Sequence, residues 1–302
     1  MSEQAVADRD IVDGIESSRD DQARHRRERR GPAKYLLRYG ALIYLALLVG
    51  LPVIMVGWQT FRGGLQPVLT ALSDPALIFA FELTVQSAIA AVVINTIFGV
   101  GISLLLVRYR FPGRRVLSVL IDLPLSVSPV VVGLALLLVY DGQTGWFGTV
   151  VRALGIPIIY APLGIVLATA FVSLPLVIRE VVPVLQESGF DAEQAASSLG
   201  ASGWQTFWRI TLPTIRWGVV YGVVLSLARS LGEYGAVNVV SGNVALRTQT
   251  ATLYVQESYN QFGAQSATNA YTAGLILALV AVVALVVVAV LQPRRGVSER
   301  KS

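Results

Sequence analysis

The 302-residue chain is short of the side chains on which most active sites depend. It has no cysteine, which excludes a disulfide framework, a thiol nucleophile and thiolate metal ligands. Its single histidine, His25, lies among arginines near the N-terminus, so a zinc site or a catalytic triad built on histidine is excluded as well. No segment matches G-x-x-x-x-G-K-[ST], and the chain therefore has no P-loop with which to hold ATP phosphates.

Charged side chains are also scarce, and apolar ones are abundant. Charged residues make up 14% of the chain, hydrophobic residues make up 54%, and the mean hydropathy is +0.62, whereas a soluble domain carries about 25% charged residues. A helix needs about 20 apolar residues to cross a bilayer. Six stretches are predicted to do so, at roughly Tyr39–Trp58, Leu83–Val107, Val116–Tyr140, Ala161–Ile178, Trp217–Val240 and Tyr271–Leu291. Because these runs are continuous rather than alternating, they predict an all-α, polytopic membrane protein and not a barrel.

The basic residues are distributed unevenly between the two sides that these spans define. If the N-terminus is cytoplasmic, the inside segments hold 20 Lys and Arg, and the outside loops hold 3, at Arg62, Arg152 and Arg247. An excess of basic residues marks the cytoplasmic side, so both termini are predicted to be cytoplasmic. The net charge of +5 is then explained by the inside loops and not by nucleic-acid binding.

Two tails flank the predicted transmembrane domain, residues 35–292. Residues 1–34 are rich in charged side chains, with the basic ones clustered at residues 24–34, and poor in apolar ones, which predicts a disordered, basic cytoplasmic tail attracted to the anionic lipid bilayer. Residues 293–302 form a second cytoplasmic tail. The arginine pairs at 26–27 and 29–30 before an apolar run also resemble a secretory leader. Because that run is a full span and no A-x-A-like site follows it, we interpret it as an uncleaved first helix.

The loop at residues 187–213, between the fourth and fifth spans, combines a predicted bend with aromatic residues. Gly200 and Gly203 permit a sharp turn between two short helical runs, and Pro213 suits the first turn of the fifth span. The second run presents aromatic side chains to the cytoplasm, at Trp204, Phe207 and Trp208. Exposed apolar patches of this kind mark docking surfaces; an interfacial helix lying on lipid is the alternative.

The same loop resembles the signature Glu-Ala-Ala-x3-Gly-x9-Ile-x-Leu-Pro of ABC importer permeases. The matching residues are Ala195, Ala196, Gly200, Ile210, Leu212 and Pro213. Gln194 stands where that family has glutamate, and Glu193 lies one residue earlier, about 100° away around the helix. In that family the loop is a coupling helix that docks on a separate ATP-binding subunit. The resemblance implies a docking site made of Glu193, Gln194, Ala195, Ala196, Gly200, Trp204, Phe207, Ile210, Leu212 and Pro213.

Further segments narrow the resemblance, which covers about residues 35–292. Residues 108–115 (RYRFPGRR), 122–134 (DLPLSVSPVVVGL) and 228–237 (ARSLGEYGAV) are similar to sulfate, molybdate and tungstate permeases. Residues 239–262 are most similar to the W-type membrane subunits of sulfate and thiosulfate importers. This resemblance implies the type I ABC permease fold (MetI-like) and a place in the bacterial plasma membrane.

The resemblance also implies a set of partners. They are two ATP-binding subunits, which hold ATP and Mg, a second permease chain of the T or U type, and an extracytoplasmic sulfate-binding protein. The chain itself would then be a permease subunit and not an enzyme, with no cofactor or metal of its own.

Charged residues at membrane depth are costly and usually paired or functional. Arg229 and Glu233 are four residues apart on the predicted fifth helix and share a face; they close helix packing as an ion pair or line the anion pathway. A second group lies in the third span, where two prolines disturb the helical ladder and two serines can satisfy freed backbone groups or an anion. Two roles are open for this group: it kinks the span, or it lines the pathway. Its members are Asp122, Pro124, Ser126, Ser128 and Pro129.

Three other functions are compatible with the sequence. A molybdate or tungstate permease belongs to the same class and differs in its ligand. A self-sufficient secondary anion transporter needs an intramembrane carboxylate relay, whereas only Asp122 and Glu233 lie well within the predicted spans. A membrane scaffold would transport nothing. The sequence favours the permease subunit of an ABC importer that moves sulfate or thiosulfate into the cytoplasm.

Overall fold

A computed structural model describes residues 32–291, so the predictions for the two tails fall largely outside this range. Helices form the regular secondary structure of these residues, and the predicted all-α fold is confirmed. They are α1 (Pro32–Phe61), α2 (Leu65–Leu72), α3 (Pro75–Arg108), α4 (Arg114–Ser126), α5 (Pro129–Tyr140), α6 (Gly148–Leu154), α7 (Pro162–Glu187), α8 (Asp191–Ser198), α9 (Gly203–Thr206), α10 (Leu212–Leu231), α11 (Gly235–Val240), α12 (Ala251–Asn260) and α13 (Ala264–Leu291). The chain divides after Met55 into two units; the first holds most of α1, and the second holds every later helix.

Five of the described helices are long and apolar enough to cross a bilayer, and α4 with α5 gives a sixth crossing if the bent pair counts as one span. Helix α3 begins at Pro75 rather than at the predicted Leu83, because the Asp74 carboxylate accepts a hydrogen bond of 2.9 Å from a first-turn N–H. Helix α7 continues to Glu187, past the predicted end at Ile178. The apolar runs therefore mark the spans but underestimate their lengths.

Helices α3, α7 and α10 form the core of the second unit. Helices α3 and α7 run in the same direction: Leu83 and Ile165 share one buried cluster near their starts, and Arg108 donates a hydrogen bond of 3.2 Å to the Leu185 carbonyl near their ends. Helix α10 runs the opposite way along α7. The loop at residues 187–213 and the C-terminal end of α10 consequently lie at opposite ends of this core.

The core helices approach closely because small residues face each other. A Cβ atom at Gly222 of α10 would lie 2.8 Å from the Val177 Cα atom, and a Cβ at Gly99 of α3 would lie 2.9 Å from the Val177 Cβ atom. Val177 of α7 is thus held between two glycines, a packing that small residues make possible in membranes. On α10 the buried small residues recur at every fourth position, at Gly218, Gly222, Ser226 and Ser230.

A buried polar cluster joins the same three helices. Asn95 Nδ2 donates to Ser173 Oγ at 2.8 Å and to Ser226 Oγ at 3.5 Å, and Ser230 Oγ donates to Ser173 Oγ at 3.3 Å. Each of these residues is at most 5% exposed. Hydrogen bonds between membrane helices contribute roughly 0.6 kcal/mol each, so this cluster specifies the helix register as much as it stabilises it.

The predicted third span consists of two helices, α4 and α5, and the direction of the chain bends by 114° between them. The break lies at Val127 and Ser128, whose ψ angles of 143° and 133° are extended. Pro129 causes it, because a proline disfavours the helical conformation of the preceding residue. Pro124 stays buried inside α4. Of the two prolines that we expected to disturb this span, Pro129 is the one that ends the helix.

The bent pair lies between one end of the helix core and the other. The ends of α3 and α7 lie on one side, because Arg108 contacts the Leu185 carbonyl. Helix α7 has 26 residues, about 39 Å at 1.5 Å per residue, so its first residue, Pro162, lies on the other side. Between Arg108 and Pro162 the chain must therefore pass from one end of the core to the other. Helix α4 packs near the first end, where Ile121 contacts the cluster of Leu106, and α5 packs near the second, where Val132 contacts the cluster of Ile159.

The predicted fifth span, Trp217–Val240, is also broken, between α10 and α11. Glu233 lies in the break, and its Oε1 atom accepts a hydrogen bond of 3.0 Å from a backbone N–H of α11. A Cβ at Gly235 would lie 2.9 Å from the Pro129 Cβ atom, whereas a Cβ at Gly232 would meet nothing within 4 Å. Gly235 therefore permits the close helix approach, and it places the two breaks side by side.

Hydrogen bonds close the end of the core that lies away from Arg108. The backbone N–H of Ala251 donates to Thr84 Oγ1 at 2.8 Å, and the Tyr254 hydroxyl donates to Asp74. Burial, together with the hydrogen bond to Asp74, raises the pKa of Tyr254 to about 12. The phenol consequently stays protonated and keeps donating to Asp74 throughout the physiological range.

Candidate functional site

The loop between α7 and α10 begins with α8 and bends sharply after it. The backbone N–H of Ala201 donates to the Ala196 carbonyl, and that of Gly200 donates to the Ser197 carbonyl, both at 3.0 Å. This is a Schellman-type helix end, which needs a left-handed residue, and Gly200 has a φ of +84°. The predicted bend at Gly200 is present. Gly203 has an ordinary φ and begins α9.

The second half of the loop is continuous with the fifth span. Ser202 and Gln205 form a capping box, with hydrogen bonds of 3.3 Å and 2.9 Å. A π-helical turn follows, in which the Leu212 N–H bonds to the Phe207 carbonyl. Pro213 explains it, because proline has no N–H and clashes with the carbonyl four residues earlier. Pro213 lies in the first turn of α10, as predicted, and α10 continues from the π-helical turn in one helical segment of 29 residues.

One side of this loop exposes large apolar side chains. Leu199 is 89% exposed, Trp204 is 71% exposed and Trp208 is 50% exposed. The two indole rings pack edge to face, with centroids 5.5 Å apart. We call this surface the docking face, and it consists of Gln194, Ala195, Leu199, Gly200, Trp204 and Trp208, all of them exposed. Leu199 was not among the predicted docking residues, because the sequence marked it only as the end of a helix-forming run.

Other members of the predicted docking set turn towards the helix bundle. Phe207 and Leu212 pack against a buried cluster that includes Val181 and Ile215. Ala196 and Ile210 are half-buried, and Pro213 is exposed at the start of α10. Phe207 and Leu212 thus anchor the loop on the helix bundle, and their part in docking stays a prediction.

Glu193 also faces inward and does not belong to the docking face. Its Oε1 atom accepts hydrogen bonds from Thr211 Oγ1 at 2.8 Å and from Arg108 Nη2 at 3.1 Å. Its Oε2 atom lies 3.0 Å from Arg108 Nε, and the Arg108 and Glu193 side chains are only 9% and 21% exposed. These contacts occupy the carboxylate within the chain, and a part of Glu193 in docking stays a prediction.

Arg108 makes three further contacts. It donates to the Leu185 carbonyl at 3.2 Å and to Ser188 Oγ at 3.4 Å, and its guanidinium carbon lies 4.4 Å from the centroid of the Phe190 ring. Sequence analysis counted Arg108 only as one of the basic residues that mark the cytoplasmic side. No spacing could have found the contact with Glu193, because 85 residues separate the two.

Arg229 and Glu233 form the expected ion pair, with 2.6 Å between Arg229 Nη1 and Glu233 Oε2. The Glu233 side chain is 2% exposed, and that of Arg229 is 37% exposed. The carboxylate therefore fixes the break between α10 and α11, while part of the guanidinium faces outward from the core. The role of this pair in an anion pathway stays a prediction.

Asp122 pairs with Arg179 of α7. The Nε and Nη2 atoms of Arg179 each lie 3.0 Å from Asp122 Oδ1, and the Asp122 and Arg179 side chains are 46% and 56% exposed. Arg179 precedes Ser188 by nine residues, about 13 Å along α7. The sequence assigned Arg179 to an inside loop because the fourth span was predicted to end at Ile178. The structure places this pair within the span.

The serines of the third span lie beside its break. Ser126 Oγ donates to the Asp122 carbonyl at 3.4 Å, and the exposed Ser128 precedes Pro129. Because Gly235 packs on Pro129, both candidate pathway groups adjoin the same pair of helix breaks.

Residues 32–291 contain no group of three or more His, Cys, Asp or Glu side chains that could hold a metal ion. That the chain carries no cofactor of its own stays a prediction.

Known proteins are similar in sequence to this chain over most of its length. Residues 95–297 match the family described as the binding-protein-dependent transport system inner membrane component. The sulfate transport system permease protein CysW of Synechococcus elongatus is 47% identical over 260 residues, which cover 86% of this chain and 90% of that protein. CysW of Escherichia coli K12 is 41% identical over 271 residues, or 89% of this chain and 90% of that protein.

Solved structures share the fold. A chain of the bacterial alginate ABC transporter, in complex with an alginate pentasaccharide-bound periplasmic protein, superposes with a TM-score of 0.70 at 17% identity. The match covers 86% of this chain and 93% of that one, and at this identity it establishes the fold alone. With the family match and the identity to its relatives, the chain belongs to the family of binding-protein-dependent transport system inner membrane components.

Proposed function

We propose that this chain is the permease subunit of an ATP-binding-cassette importer that moves sulfate, and with it thiosulfate, into the cytoplasm. The observation that carries the proposal is the docking face, a rigid apolar surface at one end of the helix core. The chain has no P-loop, so a separate ATPase subunit supplies the energy.

The docking face has the properties of a protein interface. Tryptophan is enriched among interface residues whose truncation costs about 2 kcal/mol or more, and Trp204 and Trp208 support each other edge to face. The Schellman-type end at Gly200 and the capping box at Ser202 hold the backbone in one conformation. Such a surface transmits force from a bound ATPase, because little of the motion is lost in the loop itself.

The substrate assignment rests on the relatives and on two arginines. The relatives that match most of the chain are named sulfate transport permeases. Arg179 and Arg229 lie on helices that cross the membrane and are half-exposed, and a guanidinium offers a donor fork that suits an oxyanion. Each arginine is paired with a carboxylate, which weakens its attraction for an anion. This favours passage of the anion, because a site in a pathway must bind its ion weakly enough to release it.

The assembly that we propose has the composition of an importer. A second, T- or U-type permease chain completes the pathway, two ATPase subunits with ATP and Mg dock on the two loops, and an extracytoplasmic protein delivers the anion. The complex lies in the bacterial plasma membrane with both termini of this chain in the cytoplasm. Basic residues support this sidedness, because Arg108, Arg114 and Arg115 lie at the same end of the core as the docking face.

Reconstitution of the purified complex into liposomes tests the proposal. We expect uptake of radiolabelled sulfate that needs ATP, the ATPase subunits and the binding protein, with thiosulfate competing better than molybdate. Uptake by this chain without ATP would contradict the proposal and indicate a secondary transporter. Preferential competition by molybdate would indicate a molybdate permease.

A pair of tryptophan variants tests the docking face in the same complex. Trp204→Ala should reduce the amount of ATPase subunit that copurifies, because it removes a central apolar side chain from the interface. Trp146→Ala is the matched control, since Trp146 is 86% exposed but lies in the loop after α5, at the other end of the core. Equal copurification from both variants would contradict docking on this face.

A further inference from the structure

Helix α8 carries two of the six residues of the docking face, Gln194 and Ala195, yet buried apolar packing does not hold it to the core. None of its eight residues, Asp191–Ser198, is buried. Glu193 is its strongest link to the rest of the chain, through the ion pair with Arg108 and the hydrogen bond from Thr211. Together with the short link through Gly189 and Phe190, this carboxylate therefore sets the position of α8 relative to the membrane helices.

Arg108 connects this carboxylate to the helices that cross the membrane. It is part of the last turn of α3, it donates to Leu185 and Ser188 at the end of α7, and its guanidinium stacks on Phe190 in the link to α8. Thr211, the third partner, belongs to the π-helical turn that leads into α10. We call Arg108, Glu193 and Thr211 the clasp.

Its chemistry suits a rigid joint. A side chain as little exposed as that of Arg108 is costly to desolvate, and the interaction is favourable only when several partners are in place. Arginine meets this condition because its planar guanidinium offers five donors and an aromatic stacking face at once. All of these contacts can form together only when α3, α7, α8 and the π-helical turn have one relative arrangement. The clasp therefore favours movement of these elements as one rigid body.

We propose that Arg108 and Glu193 are positioning residues that transmit the movement of the bound ATPase from α8 to α3 and α7. The inference rests on the proposed function, because it needs an ATPase on the docking face. The pair touches neither the anion nor the nucleotide. Its effect is on coupling: without it, the ATPase can dock and α8 can move while the core helices do not follow.

The test uses the complete complex with Arg108→Gln, Glu193→Gln and the double variant. The matched control is Arg110→Gln, which removes the same charge from an exposed position two residues away. Three quantities are measured: copurification of the ATPase subunits, stimulation of ATP hydrolysis by the sulfate-loaded binding protein, and sulfate uptake. A role in stability alone would lower all three together, and a role in coupling separates them.

We expect each single variant to keep its ATPase subunits and to lose stimulation and uptake by about five-fold or more, the usual lower range for coupling between sites. The double variant should lose no more than Arg108→Gln alone, because Arg108→Gln already removes the shared interaction with Glu193. Arg110→Gln should behave as the wild type.

Two results would overturn the inference while the proposed function stands: normal stimulation and uptake in the single variants, or loss of the ATPase subunits in proportion to the loss of uptake. A wild-type complex without any ATPase subunit would overturn the proposed function itself. The two failures are therefore distinguishable.

Discussion

At the scale of single residues, Gly200 determines the shape of the docking face. Its φ of +84° lies in the left-handed region, which costs other residues about 1–2 kcal/mol. No atom lies within 4 Å of a Cβ built at this position, so space does not limit a substitution. The backbone angle alone makes glycine necessary here.

Gly200→Val should therefore distort the bend between α8 and α9 and reduce both ATPase copurification and sulfate uptake. Valine is β-branched and especially unfavourable in the left-handed region. Gly203→Val is the control, because Gly203 has an ordinary φ and open space around it. Both variants are compared by pull-down of the ATPase subunit and by uptake; equal behaviour would show that the bend does not matter for docking.

The Arg229–Glu233 pair is a second residue-scale feature, and its two roles can be separated. Arg229→Gln should impair uptake but leave ATPase docking intact, and it should also lower stability because Glu233 stays buried without its partner. Breaking a fully buried pair costs about 3–5 kcal/mol; the loss should be smaller here, because Arg229 is 37% exposed.

The double variant Arg229→Gln/Glu233→Gln distinguishes a pathway role from a packing role. It removes the unpaired charge, so thermal stability in detergent should recover, while uptake should stay low because the guanidinium is absent. Recovery of uptake together with stability would assign the pair to helix packing alone.

At the scale of helices, glycine spacing sets how closely the core elements approach. Gly99 and Gly101 lie two residues apart on α3, but a Cβ at Gly99 would lie 2.8 Å from Val177 Cγ1 and a Cβ at Gly101 would meet nothing within 4 Å. Two residues apart on a helix point about 200° apart. One of them faces α7, and the other faces away from the core.

Gly99→Ala should destabilise the chain by about 1–3 kcal/mol, the usual cost of overpacking a core, and Gly101→Ala should not. Thermal unfolding of the two variants in detergent, followed by size-exclusion chromatography, measures the difference. Equal melting temperatures would mean that α3 and α7 separate easily enough to admit a methyl group.

The same scale shows what the sequence could predict and what it could not. Apolar runs of span length predicted the crossing helices, since hydrocarbon leaves the backbone no other way to satisfy its polar groups. The breaks at Ser128 and Glu233 lie inside those runs, and hydropathy does not register them. Pro129 was a usable signal for the break at Ser128. The break at Glu233 depends on the Glu233 carboxylate, which accepts a hydrogen bond from a backbone N–H that has lost its helical partner.

The docking loop illustrates the same limit. The signature and the glycine predicted the bend, because both depend on local sequence. The inward orientation of Glu193 and Phe207 was not predicted, because it depends on contacts with α3 and α7 that are distant along the chain. Tertiary contacts therefore determine which side of each short helix in the loop is exposed and forms the docking face.

At the scale of the whole molecule, the topology depends on the bent pair α4–α5. A re-entrant pair would return the chain to the side from which it came, and every later helix would then be inverted. The ends of α3 and α7 lie together at Arg108, which requires that the chain change sides between these helices. The docking loop is cytoplasmic only if this crossing is complete.

Single cysteines can test this crossing without background, because the chain has none of its own. Cysteines at the exposed positions Gln143, after α5, and Gln261, before α13, should react with a membrane-impermeant maleimide added outside right-side-out vesicles. A cysteine at the exposed Ser198, in α8, should react only after the vesicles are opened. Labelling of Ser198→Cys from outside, with Gln143→Cys and Gln261→Cys reacting only after the vesicles are opened, would mean that the pair is re-entrant. Because Gln143 and Ser198 are separated by α7 alone among the long helices, opposite labelling also shows that α7 crosses once.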